Sequence, residues 1–165
     1  MNRFFVLTLC GLIVLGCKTE TPRQEPQAEV VGVQQNDLPA IRLTFPDGKK
    51  TTARELGGKT VLVLFQTDCD HCQREAEQIA AFSKSFEKYK VYFISSSPLS
   101  EILKFADTYH LRDKPNFFFA ETPFDDVVSI IGPIETPSLY IYSADRKLVQ
   151  AFNGEVAMEV VVKYL

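Results

Sequence analysis

The sequence predicts an α/β fold, a three-layer sandwich of helices around a mixed central sheet. Three observations carry that expectation. Val61–Phe65 is an unbroken apolar run of the kind that forms a parallel strand covered on both faces, and an amphipathic helical pattern follows it. Strand and helix then alternate again, with Val91–Ser95 extended and Leu99–Tyr109 helical. Near the end, Leu139–Ser143 and Leu148–Phe152 flank the turn Ala144-Asp145-Arg146-Lys147, an antiparallel hairpin that makes the sheet mixed.

Taken in order, residues 1–16 carry one positive charge, Arg3, and an apolar run from Phe4 to Gly16 that falls short of the ~20 residues a spanning helix needs. This reads as a signal peptide. It closes on Val14-Leu15-Gly16-Cys17, which resembles the bacterial lipobox, so cleavage is expected before Cys17 with lipid carried on its thiol. An uncleaved signal anchor and ordinary secretion are the alternatives, and all three place the domain outside the cytoplasm. Residues 17–37 are polar, with Pro22, Pro26 and several glutamines, and are expected to be a tether. Residues 38–165 hold the folded domain. Within it Ala76, Ile79, Phe82 and Phe86 continue a helical stripe from Cys72, with Glu75, Glu77, Lys84 and Lys88 among the polar positions. Phe117–Ala120 is a short strand, Phe124–Ile131 an amphipathic helix and Glu155–Tyr164 the closing helix. His110 ends the Leu99 helix as a surface residue, and Phe117-Phe118-Phe119 reads as buried strand rather than a ligand platform.

Composition narrows the function. The chain has 45% apolar and 24% charged residues and a net charge of −3, which excludes disordered and collagen-like classes. A pI near 5.4 with scattered lysines and arginines argues against a nucleic-acid partner. No repeat and no phosphate-binding glycine loop is present.

Of the cysteines, Cys10 lies inside the signal and Cys17 at its end, which leaves Cys69 and Cys72 as a C-x-x-C pair. Such a pair is a structural staple, a redox centre or half of a metal site. A closed zinc site needs about four ligands. The chain has only two histidines, His71 between the cysteines and His110 far along the chain, so no metal is expected. A staple closing so short a loop removes little unfolded-state entropy. The pair also sits where strand passes into helix, and a helix N-terminus stabilises an anionic sulfur. Cys69 is therefore expected to be exposed and nucleophilic, and Cys72, one turn inward on the apolar stripe, shielded and poised to resolve a mixed disulfide. His71 favours a thiolate at Cys69, whereas Asp68 and Asp70 oppose one.

The stretch from Gly58 to Glu75, with Cys69-Asp70-His71-Cys72 at its centre, resembles the active-site segment of thioredoxin-like proteins, most of all the membrane-tethered extracytoplasmic TlpA and ResA type. Leu38-Pro39-Ala40 with Phe45-Pro46-Asp47-Gly48-Lys49 resembles the N-terminal β-hairpin those proteins add, and Thr136-Pro137 before Ser138–Tyr142 resembles their cis-proline loop. The resemblance implies a thioredoxin-like fold and a thiol:disulfide oxidoreductase, with Thr136 and Pro137 binding the substrate chain. Val63 stands where thioredoxin has a buried aspartate, and Glu75 is the expected replacement as proton acceptor for Cys72. Asp68 replaces the usual tryptophan before the first cysteine. The implied partners are envelope proteins with disulfides or thiols and a membrane thiol electron carrier, and no dissociable cofactor is required. Two alternatives stand. A thiol peroxidase of the peroxiredoxin type wants threonine or serine three residues before the reactive cysteine, where this chain has Gln66. A non-catalytic partner- or metal-binding module is the other.

Overall fold

The computed structural model describes residues 36–165; the expected signal segment 1–16, Cys17 and the tether as far as Gln35 lie outside the described residues. Seven strands, β1 (Arg42–Thr44), β2 (Lys50–Thr52), β3 (Thr60–Leu64), β4 (Lys90–Ser95), β5 (Phe117–Glu121), β6 (Ser138–Tyr142) and β7 (Leu148–Asn153), form one mixed sheet in the order β2-β1-β5-β4-β3-β6-β7. β3, β4 and β5 run parallel, with Val61 opposite Val91 and Val63 opposite Phe93, and the remaining pairings are antiparallel. Every residue of β3 is buried, as its uninterrupted apolar run requires of a central strand.

The two-residue period of the strands divides the core. Val61, Val63, Val91, Phe93, Phe117, Phe119, Leu139 and Ile141 face the layer formed by α1 (Asp70–Ala81), α2 (Leu99–Thr108) and α4 (Met158–Val161). Leu62, Leu64, Tyr92, Ile94, Ala120 and Tyr142 face the other way, against Leu38, Ile41, Leu43, Ala53 and Leu56. Phe117 and Phe119 are buried as strand residues, and Phe93 stacks on Phe119 with ring centroids 5.3 Å apart. β1 and β2 form the expected hairpin, closed by Phe45 N–H to Lys49 O at 2.9 Å around Gly48, whose φ of 82° suits glycine.

Asn36 and Asp37 are already attached to the domain: the Asn36 side chain donates to Arg54 O at 2.8 Å and Asp37 N–H to Arg146 O at 3.0 Å. Three helices differ from expectation. α1 stops at Ala81 and a 3-10 turn, Ser83–Phe86, takes over, which tightens the chain while keeping Phe86 buried against Phe117. The expected helix Phe124–Ile131 is one α-turn, α3 (Phe124–Asp126), followed by a π-helical turn Val127–Ile131. Asp126 in that element binds the Arg42 guanidinium through both carboxylate oxygens at 2.6 and 2.9 Å, tying it to β1. The closing helix begins at Met158, not Glu155, because Glu155 is engaged by α1; Met158 and Val161, at helical spacing, are its residues fully buried in the core. α2 stops at Thr108 with Tyr109 as its cap, and the exposed His110 that follows adopts φ 53° so that Leu111 N–H can return to Ala106 O at 2.9 Å.

Candidate active site

Past Leu64 the chain leaves the sheet edge and turns through Gln66–Asp68 into α1, with Cys69 N–H donating to Gln66 O at 3.4 Å. Cys69 is the N-cap of α1, in extended conformation (φ −94°, ψ 116°), and its Sγ accepts the Cys72 N–H at 3.3 Å. Sulfur thus takes the place that a serine or aspartate oxygen fills in most caps, facing the unpaired N–H groups and the positive end of the helix dipole. The same Sγ lies 3.6 Å from the carbonyl oxygen of Thr136, 67 residues along the chain. Thr136-Pro137 is a cis peptide, as the resemblance implied, and Pro137 is buried. Cys69, Cys72, Thr136 and Pro137 therefore meet at one point.

Both cysteines are free thiols; Cys69 is half-buried and Cys72 is 2% exposed. Burial, reinforced by the neighbouring Cys69 side chain, pushes the Cys72 thiol up to about 12. One turn on, Glu75 is 1% exposed, and neither carboxylate oxygen has a hydrogen-bond partner among the described residues. Burial first, then the negative charge of Glu155, raises its pKa to about 8. Asp68 and Asp70 are exposed, Asp70 in the first turn of α1.

His71 is exposed at the helix mouth, with Nδ1 2.8 Å from Glu155 Oε2 and 2.6 Å from Arg74 Nη2. Arg74 holds Glu155 through Nε at 3.0 Å to Oε1 and Nη2 at 2.6 Å to Oε2. These bonds, Arg74 first, hold the Glu155 carboxyl down at about 2. Sequence reasoning identified neither partner. Arg74, three residues after His71 on the same helix face, was findable; Glu155, 81 residues beyond Arg74, had no local signal.

Gln66 and Thr67 are committed elsewhere. Gln66 Nε2 donates to Ser96 Oγ at 3.0 Å and its Oε1 accepts from Ser97 Oγ at 3.3 Å; Thr67 Oγ1 lies 3.1 Å from Ser97 Oγ and 3.4 Å from Glu101 Oε2. Beside them a cavity of about 230 Å³ is lined by Phe65, Gln66, Phe124, Val127, Ile134 and Thr136, with Phe124 62% exposed at its rim. Among the described residues no group of three or more His, Cys, Asp or Glu side chains is arranged to hold a metal.

Residues 25–150, more than half of the sequence, match the AhpC/TSA family. The chain belongs to the AhpC/TSA family. No curated protein sequence matches it. Among solved structures it is similar to a secreted Mycobacterium tuberculosis disulfide oxidoreductase homologous to E. coli DsbE, with TM-score 0.63 and 17% identity over 76% of this chain and 93% of that one. StoA from Bacillus subtilis gives TM-score 0.56 and 15% identity over 74% and 93% of the two chains. Arabidopsis thaliana ScoI with copper bound gives 0.58 and 18% over 76% and 92%. At these identities the likenesses show the fold, a thioredoxin-like α/β sandwich with a mixed sheet. The AhpC/TSA match supports a redox enzyme.

Proposed function

We propose that this AhpC/TSA protein is a thiol:disulfide oxidoreductase of the TlpA and ResA type that reduces disulfides in partner proteins of the bacterial cell envelope. The observation that carries the reading is the placement of Cys69: its sulfur caps α1 and abuts the Thr136 carbonyl, while Cys72 is buried behind it beside an unpartnered Glu75. In the reduced protein the Cys69 thiolate attacks a partner disulfide, forming a Cys69–partner mixed disulfide and releasing one partner thiolate. Cys72 gives its proton to Glu75 and attacks Cys69 Sγ. The Cys69–Cys72 disulfide forms, the second partner thiol leaves, and two electrons have passed to the partner. A membrane thiol electron carrier returns the pair to the dithiol. A carboxylate that holds its proton up to about 8 is a far better acceptor from a thiol at about 12 than one at the ordinary 4.5. The cost is that the base form is scarce at neutral pH, so resolution accelerates as pH rises toward 8.

The backbone beside Pro137 pairs with the partner chain, and the cavity rimmed by Phe124 receives an apolar side chain next to the partner's cystine. Anchoring rests on the lipobox resemblance: a lipid on Cys17, a tether, and the domain facing the periplasm or exterior. The family match keeps a thiol peroxidase in view. Gln66 in place of threonine or serine, bonded to Ser96 and Ser97, favours disulfide exchange. A module that merely holds a partner or metal retains its function as Cys72→Ser, whereas an enzyme of this kind does not turn over.

The test is the equilibrium of Cys69 and Cys72 against glutathione or dithiol buffers, with thiols counted by alkylation. A potential at the thioredoxin end, about −270 mV, is expected of a reductant. A value near about −120 mV makes the protein a disulfide donor and overturns the direction proposed. Rapid peroxide consumption coupled to a thiol donor overturns the reading itself.

A further inference from the structure

We propose that Glu155 is a positioning residue of the dithiol site, delivered by the loop between β7 and α4 to neutralise Arg74 and hold the His71 ring beside Cys69 and so keep the pair reducing. The inference rests on the exchange reading above and assigns it a residue outside the C-x-x-C segment and the proline loop.

The loop is built for this placement. Gly154 has φ +79°, its N–H donates to Pro137 O at 2.8 Å, and a Cβ there would meet Glu135 Oε2 at 3.3 Å. At the other end Met158 N–H donates to Gln78 Oε1 at 3.0 Å. Pinned to the proline loop on one side and to α1 on the other, the chain passes Glu155 over the first turns of α1. Its carboxylate is only 22% exposed, and both oxygens bind Arg74. His71 Nδ1 is offered two partners, the Glu155 acceptor at 2.8 Å and the Arg74 donor at 2.6 Å. A ring with hydrogen on Nδ1 donates to Glu155, and a ring with bare Nδ1 accepts from Arg74, so the imidazole is held in either form.

The consequence is electrostatic. The titratable groups acting with Glu155 are His71, Arg74 and Glu75 from α1; Asp70 acts in turn on Arg74, and Glu135, from the segment before Pro137, lies against Gly154. Arg74 is the cation of this set, and it stands with the His71 ring at the helix end that Cys69 caps. With Glu155 in place the Arg74 charge is answered locally. Without it Arg74 favours a Cys69 thiolate, the reduced pair becomes more stable and the disulfide more oxidising. The same carboxylate faces the buried Glu75 and favours its neutral form.

The experiment compares the full protein with Glu155→Gln, Glu155→Asp and the double variant Arg74→Gln/Glu155→Gln. The readouts are the glutathione equilibrium, the rate of Cys69 alkylation by iodoacetamide at neutral pH, and the pH profile of resolution. Glu155→Gln is expected to shift the equilibrium toward the dithiol and to speed alkylation, each by roughly two- to fivefold, the scale of one partly exposed charge. Its pH inflection should move down. Glu155→Asp and the double variant should return toward wild-type values. Unchanged equilibrium, alkylation and inflection in Glu155→Gln, with only a lower melting temperature, would make Glu155 a brace and overturn the inference. Alkylation reads the effect whether or not the protein exchanges disulfides, so failure here is distinguishable from failure of the exchange reading.

Discussion

A carboxyl group buried without a hydrogen-bond partner costs stability, far more when ionised than when protonated, and Glu75 carries that cost at the centre of the site. The unfolded chain loses this proton near 4.5 and the folded chain near 8. Between those values the native state binds more protons than the unfolded one, so stability falls as pH rises, by about 1.4 kcal/mol per unit at most, and levels off above 8. Glu75→Gln removes that slope. Denaturant midpoints should show the variant gaining on wild type from about pH 5 to about pH 8; parallel midpoints would mean Glu75 ionises as an ordinary surface acid. Glu75 was legible from its place one turn after Cys72 together with the family resemblance. Its lack of any polar partner was not, because that depends on which distant side chains fail to reach it.

The start of α1 was the most legible element, since an apolar strand, a C-x-x-C and a helical stripe follow one another without interruption. The last element was the least. Apolar periodicity continues from Val156 to Val162, but nothing local signals that Glu155 is drawn away by Arg74 or that Gly154 takes a left-handed φ. Gly154→Ala meets that conformation and the Glu135 carboxylate, and should cost about 1 kcal/mol or more in a denaturant titration. Gly57→Ala, where an added Cβ meets nothing within 4 Å, is the matched control and should cost none. Equal effects at the two positions would mean that the β7–α4 loop is not held as described. The turn after β5 was misread for a related reason: an amphipathic octet looks the same whether it winds as an α-helix or passes through a π-helical turn, and the Asp126–Arg42 pairing that fixes its start is a long-range contact.

At the scale of the molecule, alternation of strand and helix was enough to anticipate the three layers, because each buried strand leaves two apolar faces that must be covered. The resemblance supplied the added hairpin and the meeting of Thr136-Pro137 with the cysteines. The sheet order β2-β1-β5-β4-β3-β6-β7 places β3 between β4 and β6, so the thiols at its end lie against the loop entering β6, and the fold itself assembles the site. Glu155 joins from the same end of the sheet, just past β7. The central claim is that Cys69 makes the bond to the partner and Cys72 breaks it. The most direct measurement is the reaction of Cys72→Ser with a disulfide-bearing protein, followed by mass spectrometry. The account predicts a mixed disulfide that forms at Cys69 and persists, whereas wild type shows none and releases a reduced partner. A Cys72→Ser protein that still turns over, or forms no adduct at Cys69, would contradict it.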